Sequence, residues 1–79
     1  MSSTYTHTQG QYLAFIYLYR KLNGRAPSEA DIQSYFDVSP PSVHQMILTL
    51  ERRGFLDRTP GQARSITLRL QKDDLPELE

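Results

Sequence analysis

Apolar residues recur along this chain with two different periods. Within residues 38–54, Val43, Met46, Ile47 and Leu50 fall at i, i+3, i+4 and i+7, one stripe of a helix, while His44, Gln45, Leu48 and Thr49 point elsewhere. Ser39 is placed as the N-cap. Pro40 and Pro41 suit the first turn, where backbone donors lack partners anyway, and Gly54 offers the left-handed stop behind Arg52 and Arg53. Upstream, Ser28 caps a short amphipathic helix over residues 29–36, with Glu29 and Asp31 where the helix dipole favours negative charge. Earlier still, Thr8 with Gln11 three residues on forms a capping box that opens a helix running through Leu22 and stopping near Asn23-Gly24. After Gly54 the period changes to two. Residues 55–58 and 65–70 alternate apolar with polar, and residues 59–64 between them are turn chemistry. A lone hairpin is marginal in water, so Phe55, Ile66 and Leu68 or Leu70 are expected to lie against the helices.

This order predicts a mainly α (α+β) domain: a three-helix winged helix-turn-helix over residues 8–70 with a C-terminal two-stranded β-hairpin as its wing. Residues 1–7 are expected to be a flexible N-terminus and residues 71–79 an acidic C-terminal tail, solvated and frayed.

With 79 residues the chain has room for one small core and little room for an enclosed catalytic pocket. No nucleophile elbow, phosphate-cradling glycine loop or acid pair on one element is present, so a non-enzymatic role is expected. Without cysteine there is no disulfide framework or thiolate metal site, and His7 and His44 are too far apart for a local zinc motif. No cofactor, metal or small-molecule effector is therefore expected. The absence of a long apolar run or a secretory leader points to a cytoplasmic protein without a membrane partner. Net charge is zero, which on its own disfavours a nucleic-acid binder, but the distribution reverses that reading. Four of the nine acids stand in the last seven residues, and residues 1–72 carry nine basic groups against five acidic ones.

A helix-turn-helix reads the major groove with the first turns of its second helix. The candidates there are Ser39, Pro41, Ser42, His44 and Gln45, with Thr49 one turn on. Gln45 can bond adenine bidentately, Ser42 a base or a phosphate, and His44 can donate to guanine acceptors. Capping alone would account for Ser39, and a solvated face for His44 and Gln45. In the wing, Gln62 and Arg64 are candidates, Arg64 reaching a phosphate or the minor groove, with Arg58 and Arg69 flanking it. Arg53 or Arg52 is expected on a phosphate, although both also suit the end of a helix dipole.

The strings Gly24-Arg25-Ala26-Pro27-Ser28 with Asp31-Ile32, Val38-Ser39-Pro40-Pro41-Ser42-Val43-His44, Leu50-Glu51-Arg52-Arg53-Gly54-Phe55-Leu56 and Pro60-Gly61-Gln62-Ala63-Arg64-Ser65-Ile66 resemble, in order and spacing, the DNA-binding domain of the LexA repressors. The resemblance covers about residues 8–70. It implies a module for double-stranded DNA with Ser39, Pro41, Ser42, His44 and Gln45 at the reading positions. Several residue types there are this chain's own, so no operator sequence carries over. LexA continues into a self-cleaving domain that also dimerises it, and neither property is expected of these residues. Leu13, Ile16 and Tyr19 fit the family's core stripe, whereas Ala14, Leu18 and Leu22 stand where a polar face is expected. One expectation is that Ala14, Phe15, Leu18 and Leu22 form a homodimer interface; the other is that Leu18 and Leu22 are covered by the tail through Leu75 or Leu78. The expected function is a dimeric transcriptional regulator acting as a repressor. The alternatives are a winged-helix protein-interaction adaptor or a DNA-guiding subunit of a larger complex.

Overall fold

The structure, a computed structural model, describes residues 5–79. Helix α1 (His7–Asn23) has its cap at Thr6, two residues before the expected Thr8. Thr6 and Gln9 form the capping box, Thr6 accepting from the Gln9 N–H at 3.1 Å and Gln9 Oε1 from the Thr6 N–H at 3.0 Å. Gly24, at φ 74°, closes α1 in the left-handed region. Helix α2 (Glu29–Phe36) has the same device in Ser28 and Asp31, and helix α3 (Pro40–Arg52) is capped by Ser39 with proline in its first turn. Gly54, at φ 82°, turns the chain out of α3, and the Phe55 N–H then donates to the Leu50 carbonyl at 3.0 Å.

The hairpin is shorter than its alternation predicts. Strands β1 (Leu56–Asp57) and β2 (Thr67–Leu68) pair antiparallel with Leu56 opposite Leu68 and Asp57 opposite Thr67. The reason lies in the backbone at each end. Phe55 spends its N–H on the end of α3, and Arg64 takes a left-handed turn at φ 59°, so regular pairing cannot extend far in either direction. Leu13, Ile16, Ile32, Val43, Ile47, Leu50 and Leu56 are fully buried between the helices and the hairpin, with Phe55 and Ile66 closing the core from the wing side. Met46, expected as core filler, sits half-buried at its edge.

The ends of the chain depart furthest from expectation. Residues 1–4 of the expected loose start lie outside the described residues, but Tyr5 packs edge-on against Phe55 at 6.0 Å between ring centres and its hydroxyl donates to the Asp74 carbonyl. The acidic tail is not frayed. A short 3-10 turn (Lys72–Asp74) sends it back along α1. There Gln11, buried, donates to the Glu77 carbonyl at 2.9 Å and accepts from the Glu79 N–H at 2.8 Å. The Tyr35 hydroxyl donates to the Glu79 carbonyl at 3.0 Å, and Leu75 and Leu78 pack against the core.

That arrangement corrects the expected dimer face. Ala14 and Phe15 are buried inside the chain itself, and Phe15 stacks on Tyr35 at 4.6 Å while Tyr12 stacks on Phe36 at 4.3 Å. A ring so enclosed cannot meet a second subunit. Leu18 borders a groove of about 410 Å³ shared with Leu75, Pro76 and Leu78, whereas Leu22 is 80% exposed, so the tail accounts for Leu18 and not for Leu22.

Candidate nucleic-acid interface

Helix α3 buries Val43, Ile47 and Leu50 and so presents its opposite side outward. Ser39, Pro41, Ser42, His44 and Gln45 are all exposed, and Thr49 is half-buried on the same outward side as Ser42 and Gln45. By helical phase Gln45 stands almost directly opposite the buried stripe, flanked by Pro41 one turn before it and by Arg52 two turns after it. The first turn is ordered from within. Ser39 Oγ accepts the Ser42 N–H at 3.3 Å, and the two hydroxyls lie 2.9 Å apart. Ser39 is therefore the helix cap, and Ser42 keeps its outward position with one contact already made.

His44 stands at the edge of this surface nearest α2, where its Nδ1 lies 3.2 Å from the Glu29 carboxylate. Between the start of α2, His44 and the wing runs an open cleft of about 340 Å³, lined by Glu29, His44, Arg58, Gln62, Arg64 and Ser65 among others. The wing forming its far wall is pinned at its base. The Thr59 N–H donates to Ser65 Oγ at 2.9 Å, Ser65 Oγ donates back to the Thr59 carbonyl, and Gly61 turns the tip at φ 78°. Gln62 is exposed at that tip, as a wing contact requires.

The arginines are arranged otherwise than their spacing suggests. Arg64 does not reach outward: its Nη1 lies 3.0 Å from Asp31, 3.0 Å from the Ala26 carbonyl and 3.4 Å from the Tyr19 hydroxyl. It thereby ties the wing to α1, α2 and the connector. The Tyr19 contact, and then Asp31, hold the guanidinium above its ordinary range. The Ser28 backbone N–H, assisted by the Ser28 hydroxyl, Tyr19 and Arg64, holds the Asp31 carboxyl below its own. Arg58 pairs with Glu51 at 3.1 Å and Arg69 with Asp57 at 3.6 Å, so the wing is not the basic element its composition implied. Arg53 is likewise engaged, donating to Gln9 Oε1 at 3.1 Å and lying 5.3 Å over the Phe55 ring. Arg52 remains on the outward line of α3, its Nη2 3.5 Å from Thr49 Oγ1.

Sequence reasoning missed the partners rather than the positions. Glu29 and Asp31 suit the dipole of α2 by position, yet each also holds a side chain from elsewhere in the fold.

A buried three-helix core behind one exposed polar helix edge and a pinned wing is the frame of a DNA-reading domain, and the family model described as LexA DNA binding domain matches residues 2–65. The chain belongs to the LexA DNA-binding domain family. Its similarity extends to LexA repressors of Thermosipho africanus, 40% identical over 63 residues that make up 80% of this chain and 32% of the relative, and of Petrotoga mobilis, 41% identical over 54 residues, 67% and 26%. The LexA repressor of Novosphingobium aromaticivorans is 35% identical over 69 residues, 86% of this chain and 30% of that protein. The chain thus spans about a third of the length of these curated relatives. Among the described residues, no helix is long and apolar enough to cross a membrane.

Proposed function

We propose that the chain binds double-stranded DNA sequence-specifically and represses transcription by occupying promoter DNA. The observation that carries this reading is the exposed edge of α3, where Pro41, Ser42, His44 and Gln45 project from a helix whose other side is locked into the core. A major groove ~12 Å wide admits such a helix, and Gln45 opposite the core is placed to read an adenine edge. Ser39 and Ser42 lie at the helix start, where the positive end of the helix dipole and the exposed hydroxyls favour a phosphate. Arg52 takes the phosphate role in preference to Arg53, since Arg53 is turned onto Gln9 and Phe55. Gln62 and the backbone of the wing tip approach the flanking strand, while Arg64 serves by fixing the wing's position.

Selection of bound fragments from random duplexes tests binding and site together. Arg52→Ala should weaken binding to all sequences and lower the salt slope by about 1, whereas Gln45→Ala should change preference at one base pair. Salt-independent binding, or no binding at low ionic strength, would sink the proposal and favour a protein-interaction adaptor.

We further propose that two copies read two half-sites, because one small module buries only ~600–1,000 Å² on DNA. With Ala14 and Phe15 internal, the face available on α1 is Leu22 with the outer edge of Leu18. Light scattering of the wild type and of Leu22→Glu, free and on a two-site duplex, tests it. A single copy on the duplex refutes pairing.

A further inference from the structure

We infer that Glu29 is a positioning residue that fixes the tautomer of His44, so that the neutral ring reads a base as a hydrogen-bond acceptor. This inference rests on the DNA-binding reading above and specifies the chemistry that His44 selects.

The argument starts from what a carboxylate can do. Both Glu29 oxygens lie within reach of His44 Nδ1, at 3.3 and 3.2 Å, and an ionised carboxylate only accepts hydrogen bonds. The hydrogen must therefore sit on Nδ1. A neutral imidazole carries one N–H, so Nε2 is left with a lone pair. The other cations around the cleft do not draw Glu29 away. Arg58 is held by Glu51 at 3.1 Å and Arg64 by Asp31 at 3.0 Å, which leaves His44 as the hydrogen-bond partner of the Glu29 carboxylate among the described residues. Position supports the same role, because Glu29 opens α2 behind its Ser28 cap and reaches His44 across the gap between the two helices of the motif.

In the major groove only adenine N6 and cytosine N4 donate; guanine N7 and O6 and thymine O4 accept. With its lone pair on Nε2, neutral His44 selects adenine or cytosine on the strand it faces, the reverse of the donor role that its residue type alone suggests. Without the carboxylate the ring can present either nitrogen as donor, and the preference disappears.

Two measurements test this. The first is long-range nitrogen–proton NMR of the uniformly labelled free protein at about pH 8.5, where a histidine ring is neutral. His44 should show its hydrogen on Nδ1. His7, whose Nε2 lies 3.2 Å from Glu79, should show it on Nε2, giving opposite patterns in one spectrum. Glu29→Gln should mix the His44 forms and leave His7 unchanged. The second is competition among four duplexes that differ at the base pair whose preference His44→Ala erases. The wild type should favour adenine or cytosine by about fivefold, the worth of one neutral hydrogen bond, and Glu29→Gln should lose that preference while still binding. A wild-type spectrum with the His44 hydrogen on Nε2 overturns the tautomer assignment. A base preference unchanged in Glu29→Gln overturns the positioning role. If no duplex is bound at all, the DNA-binding reading fails and the base preference with it, while the spectrum still decides the tautomer.

Discussion

Replacing Gly10 by alanine near the start of α1 should destabilise the protein, although the same exchange strengthens an isolated helix. By propensity alone, alanine gains about 1 kcal/mol over glycine in a helix interior. In this fold an added methyl at Gly10 would lie 2.7 and 2.9 Å from two ring carbons of Tyr5 and 3.0 Å from Pro76 Cγ, closer than side-chain carbons approach. Forcing an extra methyl into packed surroundings costs about 1–3 kcal/mol. If Tyr5 instead swings away, its edge contact with Phe55 and its hydroxyl bond to Asp74 are lost, each about 0.5–1.5 kcal/mol. Either route exceeds the propensity gain, leaving a net loss near 1 kcal/mol, or about 4–8 °C in Tm for a domain of this size. Thermal and urea unfolding of Gly10→Ala measure it, and the same exchange in a Tyr5→Ala background isolates the cause. There two of the three close contacts are gone and the loss should shrink or change sign. A wild-type background in which Gly10→Ala raises Tm refutes the reasoning.

Asp31→Asn should cost about 1–2 kcal/mol in urea unfolding, since it weakens both the α2 capping box and the Arg64 anchor. Because the Asp31 carboxyl is held below its ordinary range, chiefly by the Ser28 N–H, its contribution is complete above the unfolded carboxylate pKa near ~4 and is lost as pH falls through the lower folded value. Wild type and Asp31→Asn should therefore converge in stability in acid, and a gap that persists there contradicts the assignment. Leu78→Ala should lower stability by about 1 kcal/mol and speed amide exchange along the tail, while a merely solvated tail would show neither change.

Much of this fold can be read from local chemistry. Ser28, Ser39 with two prolines, and Gly54 all lie where their caps and stops predict, because each satisfies backbone groups within a few residues of itself. The α1 start is harder, since Thr6 with Gln9 and Thr8 with Gln11 carry the same pattern. Tertiary demands separate them: Gln9 is held by Arg53, and Gln11 is needed by the tail at Glu77 and Glu79. Composition misleads in two places for one reason, that charge is counted along the chain but neutralised across it. The wing is basic in sequence and paired in space through Glu51, Asp31 and Asp57. The tail is acidic in sequence, yet its side chains at 75 and 78 supply apolar cover for α1. The outward row of α3 was legible because helical phase alone assigns it. The pairing of Glu29 with His44, 15 residues apart, was not, because nothing local announces it.

Because Glu79 comes to rest against His7 and Gln11, the described chain is nearly a closed ring. A short glycine-serine splice joining its two ends would leave the helices and their connections intact, and new ends could then be opened between Gly61 and Gln62, at an exposed turn. Such a circular permutant would keep Ser65 on Thr59 and Arg64 on Asp31 while cutting the wing at its tip. The wing's share in holding DNA could then be weighed with every described residue still present.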